Sequence, residues 1–276
     1  MRLRLDLAYD GTDFHGWAAQ PSLRTVQGEL QAALVTVLRV EQVPVTCAGR
    51  TDTGVHARGQ VVHLDVDPAG LTAAAGRSTS PAPEALVRRL NGVLPVDVRV
   101  HRAAEVPDAF DARFSALWRR YAYRVADAPG LVDPLVRTAV LAWPRALDLD
   151  AMNAAAALLT GEHDFAAFCR RREGATTIRT LLDLRWERDL SGLAVATVRA
   201  DAFCHSMVRA LVGCMVAVGE GRRTPEWAGE VLLAAERDPG VTVMHAHGLT
   251  LEEVAYPADA DLGTQAEAAR VVRTLS

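Results

Sequence analysis

The segment AGRTDTGVHARGQVVHL, residues 48–64, places a carboxylate and imidazoles among arginines in a glycine-bounded loop. Arg50, Asp52, His56 and Arg58 lie between two apolar runs, where charged side chains have little reason to occur unless they are used. An Asp in such a loop often caps its own turn, so this pattern alone leaves a structural role open. The Asp-Thr-Gly triplet also occurs in aspartic proteases, but their chemistry needs two such acids sharing a proton, and this chain has one.

A second candidate is Arg209, in the segment HSMVRALVGCMVAVG. From Met207 to Val218 the pattern predicts a helix that is apolar around its circumference apart from this arginine, and such a helix is buried on most sides. An unpaired buried charge costs several kcal/mol, so Arg209 must be paired or reach an opening. Pairing with Asp52 would keep that carboxylate ionised, as a nucleophile or base requires. The alternative is that Arg209 reaches solvent or pairs with a surface Glu.

The third candidate is aromatic. WRRYAYRVA predicts a strand with Tyr121 and Tyr123 on one face and Arg120 on the other. A tyrosine in an open site can stack on a flipped nucleobase. Taken alone, the pattern favours packing in the core.

The periodicity of apolar residues predicts the elements that position these candidates. RLRLDLAY at 2–9 and VDVRVHR at 96–102 alternate as strands do, and a helical pattern follows Thr25, a suitable N-cap. PVTC and QVVHLDV predict short strands on either side of the Asp52 loop, and PEALVRRLNGVL predicts a second helix. Residues 67–82 are rich in small residues, Ser and Pro, and predict an exposed loop.

The second half repeats this β-α-β-β-α-β order less clearly. Its strands are expected in WRRYAYRVA, TIRTLLDLRWER, LAVATVRADAF and LTLEEVAYP, and its helices in DLDAMNAAAALLTG, SMVRALVGCMVAVGE and TPEWAGEVLLAAER, the last capped by Thr224. We predict an α+β fold of two related, RRM-like halves with antiparallel or mixed sheets and a cleft between them. The domains are expected at 1–104, with the Asp52 loop, and 105–276, with Tyr121 and Arg209.

Composition excludes several classes of function. The chain of 276 residues has no lysine, its 30 basic residues all being arginine, which removes Schiff-base chemistry and a Walker-A lysine. Its four cysteines form no CxxC pair and are expected to be reduced thiols, and its histidines form no HExxH pattern, so we expect no metal. No apolar run approaches the roughly 20 residues of a membrane span, and no signal peptide is visible, which predicts a cytoplasmic protein.

The net charge of −4 argues mildly against a nucleic-acid partner, because phosphate binding usually leaves a basic footprint. Arginines nevertheless cluster locally, and a basic patch is compatible with an acidic total. The clusters are Arg119, Arg120 and Arg124; Arg170, Arg171 and Arg172; and Arg222 with Arg223.

Motifs in order along most of the chain resemble the tRNA pseudouridine synthase A family. They are YDGTDFHGW, RTVQGEL, CAGRTDTGVHARGQVVHL, LNGVLP, ARFSALWRRYAY, DFAAF and HSMVRALVG, and the match at residues 47–64 is long and specific. The resemblance implies the pseudouridine synthase fold and the isomerisation of uridine to pseudouridine at positions 38, 39 or 40 of the anticodon stem-loop of tRNA. It also implies a homodimer and chemistry without a cofactor or metal.

The resemblance also implies roles for residues that match the motifs. Asp52 is the catalytic aspartate, which attacks the ribose, attacks the base or abstracts a ribose proton, and these routes stay open. Arg50 helps to extrude the target nucleotide, Tyr121 stacks on the uracil and assists proton removal from C5, and Arg209 pairs with Asp52. The residues expected to bind substrate are Arg50, Tyr121, His56 and His205.

The sequence departs from the family pattern at several places. GWAAQ lacks the glutamine that usually follows the tryptophan, Ser206 and Ala210 stand where the family commonly has His and Asn, and residues 67–82 resemble an insertion. These changes concern RNA contacts more than catalysis.

Two other classes of protein compete with this interpretation. A non-catalytic RNA-binding protein of two RRM-like halves would need the aromatic RNP1 pattern, which no stretch matches. A hydrolase of a small nucleoside would need a positioned water and usually a second acid or a metal.

Overall fold

A computed structural model describes residues 1–170 and 176–274 of the chain and confirms the predicted α+β class. Its internal contacts divide the chain into two units. Unit 1 comprises residues 1–117 and 251–271, and unit 2 comprises residues 118–250 with those after 271. The domain boundary predicted after residue 104 and the cleft between domains stay predictions.

The elements of the first 117 residues follow the predicted order with one addition. They are β1 (Arg2–Tyr9), α1 (Val26–Leu38), β2 (Thr46–Cys47), β3 (His56–Asp65), α2 (Pro68–Ala75), α3 (Ala82–Val93) and β4 (Val98–Val106). Thr25 caps α1 as predicted, because its side-chain oxygen accepts a hydrogen bond from the N–H of Gly28 at 3.3 Å.

The addition is α2, and the exposed loop predicted at residues 67–82 is therefore wrong. Asp67 caps this helix by accepting hydrogen bonds from its first backbone N–H groups, and Pro68 takes the first helical position, where no N–H is needed. Two of its own residues, Leu71 and Ala74, are buried. Ser78, Ser80 and Pro81 lie after the helix, so the loop-like composition belongs to the turn that follows it and not to the whole segment.

Most of the remaining elements also match the predicted pattern. They are β5 (Trp118–Ala126), β6 (Leu141–Ala142), α4 (Leu149–Ala157), β7 (Gly161–Asp164), β8 (Ile178–Arg188), β9 (Ala194–Ala200), α5 (Met207–Gly219), α6 (Glu226–Ala234), β10 (Leu249–Ala255) and α7 (Leu262–Arg270). The cap predicted at Thr224 is wrong by one residue, because Pro225 occupies the N-cap position of α6. The short strands β6 and β7 and the helix α7 had no clear pattern in the sequence.

In unit 1, β1 pairs antiparallel with both β3 and β4. Its residues Leu3, Leu5, Leu7 and Tyr9 are buried, as the period-2 alternation predicts. β2 also pairs with β3, and the residues of β10 that belong to this unit lie beside β3. The Asp52 loop therefore joins two paired strands in the middle of the sheet.

In unit 2, β9 lies between β5 and β8 and pairs antiparallel with both, and β7 pairs with β8. The helix α5 is buried at every residue except Arg209, as predicted. Gly213 makes this burial possible, since a side chain there would overlap the carbonyl oxygen of Thr242. None of the helices in residues 1–170 and 176–274 has the length and apolar character needed to cross a membrane.

Candidate active site

Asp52 begins a tight turn between β2 and β3. The N–H of Val55 donates to the Asp52 carbonyl at 3.1 Å, and Gly54 has a φ of 77° at the third position of the turn. A type II turn needs a positive φ at that position, which glycine adopts without strain. Asp52 is half-buried and Arg50 is exposed. The turn therefore keeps the carboxylate at a fixed place with part of its surface accessible.

The segment before α1 braces this turn from the side. Gly16 has a φ of 88°, and a Cβ atom there would lie 2.9 Å from the Thr51 carbonyl oxygen and 3.2 Å from the Asp52 carbonyl carbon. The N–H of Trp17 donates to the Thr51 carbonyl at 3.0 Å, and the N–H of Gly54 donates to Phe14 at 3.3 Å. Only glycine permits this close approach of two backbones.

A buried polar network supports the loop from below and was not anticipated from the sequence. Gln60, in β3, is fully buried, and its side-chain N–H groups donate to the Tyr9 hydroxyl at 3.2 Å and the Gly49 carbonyl at 2.8 Å. The Tyr9 hydroxyl lies 2.8 Å from Oγ1 of Thr51. The available signal was a glutamine within the apolar run QVVHL, because a buried amide must be hydrogen-bonded.

His56, at the start of β3, is buried. Its Nδ1 accepts a hydrogen bond from the N–H of Gly11 at 3.0 Å and lies 3.0 Å from Oδ1 of Asp10. An unprotonated Nδ1 accepts from Gly11, and a protonated one donates to Asp10. In either form the ring ties the start of β3 to the end of β1. The substrate contact expected of His56 stays a prediction.

In unit 2, Tyr121 lies on β5 opposite Val198 of β9, with 7% of its surface exposed. The ring of Phe203 meets it edge-on, with ring centroids 5.1 Å apart and planes at 89°. This aromatic pair fixes the orientation of the Tyr121 ring. The sequence patterns do not mark Phe203 as a site residue. The one feature that points to it is its position as an aromatic residue just after the strand LAVATVRA.

Tyr123, the neighbouring tyrosine on the same face, has a different environment. Its hydroxyl donates to the His245 carbonyl at 2.8 Å, and its ring packs on Gly248, where a Cβ atom would lie 2.7 Å from ring carbons. Burial raises the pKa of Tyr123, and the nearby charge of Arg209 offsets part of that increase. Tyr123 is therefore held as a structural residue of the core.

Arg209 lies in the first turn of α5 and is half-buried. Its Nε donates to the carbonyl of Met244 at 2.6 Å, and its own carbonyl accepts from the N–H of Met244 at 3.1 Å. The side chain is thus anchored at its Nε, which fixes the plane of the guanidinium group. The expected partner, Asp52, belongs to the other unit, and the pairing stays a prediction.

His205 lies at the entry to α5. Its carbonyl accepts from the N–H of Arg170 at 3.2 Å, and its Nδ1 lies 3.1 Å from the hydroxyl of Ser206. Ser206 adopts a left-handed conformation with φ of 64°, which costs a non-glycine residue on the order of 1 kcal/mol. Backbone strain of this kind is common beside binding sites. Arg171 and Arg172, from the same predicted arginine cluster, lie outside the described residues.

The cysteines correct one expectation. Cys169 and Cys204 form a disulfide with Cα atoms 5.7 Å apart, so the prediction of reduced thiols is wrong for this pair. The bond joins the residue before Arg170 to the residue before His205, at a sequence separation of 35 that no motif marks. Cys47 and Cys214 are free and buried, and burial raises the pKa of Cys214 to about 12.

The candidate residues thus fall into two groups, each held within its own unit. Unit 1 carries Arg50, Asp52 and His56, and unit 2 carries Tyr121, His205 and Arg209. Within the described ranges, no group of three or more His, Cys, Asp or Glu side chains could hold a metal ion.

The sequence matches the profile of a family described as tRNA pseudouridine synthase over residues 7–115 and 155–257. These ranges include Asp52 and Arg209 and cover most of both units. The chain belongs to the tRNA pseudouridine synthase family, a family of isomerases.

Several relatives are similar along their whole length. A tRNA pseudouridine synthase A from Streptomyces griseus is 62% identical over 100% of this chain and 95% of its own. Proteins of the same name from Frankia casuarinae and Mycobacterium leprae are 58% and 53% identical, each over 99% of this chain and 96% of its own. The similarity therefore extends through both candidate groups.

Among solved structures, an H/ACA RNP bound to a substrate RNA containing 2′-deoxyuridine is 10% identical over 78% of this chain and 53% of the other, with a TM-score of 0.33. A Cbf5–Nop10–Gar1 complex is 11% identical over 78% and 54%, with a TM-score of 0.32. Scores this low do not define a shared fold.

Proposed function

We propose that this protein isomerises uridine to pseudouridine at position 38, 39 or 40 in the anticodon stem-loop of tRNA. The proposal is supported by full-length relatives named tRNA pseudouridine synthase A, one of them 62% identical. The single observation that supports Asp52 as the catalytic group is its braced type II turn, which fixes a partly exposed carboxylate in a glycine-bounded loop.

The reaction needs one group that can act on the sugar or the base. The bond between N1 of uracil and the ribose breaks, the base rotates, and C5 bonds to the ribose. The C5 hydrogen leaves as a proton and N1 takes up a proton, so product and substrate are isomers. Asp52 starts this sequence by attacking the ribose, by attacking the base or by abstracting a ribose proton. Each route requires an ionised carboxylate at a fixed distance from the nucleotide.

The other candidate residues have environments suited to supporting roles. The Nε of Arg209 is held by the carbonyl of Met244, and we propose that the guanidinium group pairs with Asp52 and keeps it ionised. Tyr121, oriented by Phe203, is proposed to stack on the uracil and assist removal of the C5 proton. The exposed guanidinium of Arg50 helps to extrude the nucleotide and fills the space it leaves.

His56 and His205 complete the proposed substrate contacts. His56 lies at the end of the Asp52 loop, and His205 lies at the entry to the helix that carries Arg209. Both positions are fixed by hydrogen bonds to neighbouring residues, as groups that orient a ligand require.

We further propose a cytoplasmic homodimer that needs neither a cofactor nor a metal. Exposed apolar side chains in one segment of unit 2 support self-association, because their burial against a second copy would remove apolar surface from water. They are Val132, Leu135 and Val136, which are 49%, 89% and 42% exposed. The cytoplasm is the compartment that holds the proposed substrate.

The test is the release of tritium from tRNA labelled at C5 of uridine, because that hydrogen leaves when C5 bonds to the ribose. Wild type should release tritium, and Asp52→Ala and Asp52→Asn should lower the rate on the order of 10³-fold or more while binding tRNA normally. Asp259→Asn is the matched control, since Asp259 is an exposed aspartate of the same unit, and it should keep the wild-type rate.

Other results would contradict the proposal. Release that survives in either Asp52 variant would reduce Asp52 to a loop residue. Tight tRNA binding by wild type without any release would identify an RNA-binding protein instead of an isomerase.

A further inference from the structure

Four arginines that the proposed chemistry does not use lie on the helical side of unit 1. They form what we call the arginine patch, which consists of Arg39, Arg77, Arg88 and Arg89. All four are exposed. Arg39 follows α1, Arg77 follows α2, and the other two lie on α3.

The patch surrounds two neighbouring open cavities. The larger one has a volume of about 430 Å³ and is lined by Ala75, Arg77, Ser78, Thr79, Arg88 and Arg89. The smaller one has a volume of about 300 Å³ and is lined by Thr36, Val37, Arg39, Arg89, Gly92 and Val93. Arg89 lines both, so the two cavities are adjacent and share one arginine. Among the described residues, no carboxylate lines either of them.

The turn after α2 gives this surface its shape. Gly76 has a φ of 61°, and a Cβ atom there would lie 2.8 Å from Nη2 of Arg89. The backbone of the turn therefore packs directly against the guanidinium group. The hydroxyls of Ser78 and Thr79 add uncharged hydrogen-bond donors beside it.

The arginines of the patch differ from others in unit 1 in having no carboxylate partner at ion-pair distance among the described residues. In the described part of the chain, none of its four arginines forms an ion pair, and Glu84, one turn before Arg88 on α3, does not bridge to it. Arg24 shows the contrast, since its guanidinium donates to both carboxylate oxygens of Asp97 at 2.8 and 2.9 Å. The helix dipole favours a cation at the ends of α1 and α2, which accounts for Arg39 and Arg77 but not for the arginines within α3.

We propose that the arginine patch binds phosphate groups of the tRNA backbone. Guanidinium groups bind phosphate through two parallel hydrogen bonds, and contacts to phosphates position an RNA without reading its sequence. The larger cavity is open and offers both charged and hydroxyl donors, as a phosphate requires. This inference rests on the proposed function, because tRNA is the substrate proposed there.

Part of the patch lies in the segment where the sequence predicts a departure from the family pattern. Arg77, Ser78 and Thr79 belong to residues 67–82, the segment that resembles an insertion. The contact therefore adds to the affinity for tRNA without being required for the isomerisation. It predicts a change in the apparent KM rather than in kcat when the patch is altered.

The test compares tRNA binding by wild type with binding by Arg88→Gln/Arg89→Gln over a range of salt concentrations. Glutamine keeps a high helix propensity, so α3 should persist, and an unchanged melting temperature would verify this. The matched control is Arg102→Gln/Arg237→Gln, which removes the same charge from exposed arginines outside the patch. Binding is measured by fluorescence anisotropy with a labelled tRNA transcript, and kcat by tritium release at saturating tRNA.

If both arginines contact phosphates, the slope of log K against log salt should fall in magnitude by roughly 1.4 to 1.8 in the patch variant. The same relation predicts a loss of affinity of roughly tenfold or more near 0.1 M salt, with kcat unchanged. The control variant should change affinity less than about twofold. Wild-type affinity and slope in the patch variant, or an equal loss in the control, would overturn the inference. Absence of tritium release by wild type would instead refute the proposed function.

Discussion

Replacing Gly16 with Ala tests whether the Asp52 turn depends on the backbone that braces it. The φ of 88° at Gly16 is one that residues with a side chain rarely adopt. The new methyl group would also lie 2.9 Å from the carbonyl oxygen of Thr51 and 3.2 Å from the carbonyl carbon of Asp52. Both atoms belong to the backbone, so they cannot move aside as the end of a flexible side chain could.

The expected magnitude follows from these two effects. The left-handed conformation costs a residue with a Cβ atom about 1–2 kcal/mol. The contact with the backbone adds a cost of about 1–3 kcal/mol if the turn stays in place, as overpacking does elsewhere. A total loss of about 2–5 kcal/mol corresponds to a melting temperature lowered by roughly 4–10 °C for a protein of this size.

If the turn shifts to relieve the contact, Asp52 moves with it. A misplacement of about 1 Å can lower a reaction rate on the order of 10²-fold, which tritium release would detect at temperatures where the variant is folded. Gly229→Ala is the control, because Gly229 lies inside α6 at ordinary distances from Leu158, and alanine there should be neutral or stabilising. A Gly16→Ala variant with both the melting temperature and the rate of wild type would refute the bracing role.

Two further predictions concern the tyrosines of β5 and the ion pair between Arg188 and Asp127. Tyr123→Phe leaves the His245 carbonyl without its donor and should cost about 1–3 kcal/mol of stability with little effect on kcat. Tyr121→Phe should instead keep the melting temperature and lower kcat by roughly 10²–10⁴-fold. If Tyr123→Phe lowered kcat and Tyr121→Phe lowered the melting temperature, the roles given to the two tyrosines would be exchanged. Hydrogen bonds from Arg188 lower the pKa of Asp127 from 3.8, so this pair stabilises the fold above about pH 4 and loses that contribution as the pH falls. Asp127→Asn should therefore lower the melting temperature near neutral pH and make the melting temperature fall less steeply as the pH is lowered. If the melting temperature depended on pH as it does in wild type, this prediction would be wrong.

The main elements could be predicted because local patterns coincide with tertiary burial. The alternation of RLRLDLAY matches the buried residues of β1, and the continuous apolar character of α5 matches its burial at every residue except Arg209. The Asp52 loop could be located for the same reason, since it interrupts two apolar runs. In these cases the spacing of apolar residues in the sequence defines the element, and the tertiary structure determines only which other element it packs against.

Other features depend on residues that are distant in the sequence. Cys169 and Cys204 come together only because the turn after β7 packs near the entry to α5, and no spacing rule encodes that approach. Gln60 supports the Asp52 loop through Tyr9, which is 51 positions earlier in the sequence. The helix α2 was not predicted for a different reason. Residues 67–82 contain both this helix and the turn after it, and the Ser and Pro residues of that turn dominate the composition of the segment.

The acidic net charge is compatible with an RNA substrate when the arginines that pair with acids are distinguished from those that do not. A chain without lysine must use arginine both to pair with buried or structural acids and to contact phosphates. Arg24 and Arg188 belong to the first class, since each holds a carboxylate through two hydrogen bonds. In such a pair the two charges cancel, both in the electrostatic potential around the pair and in the net charge of the chain. A phosphate group is attracted by the arginines that have no such partner nearby. The relevant quantity for tRNA binding is therefore the local excess at the arginine patch and not the net charge of −4.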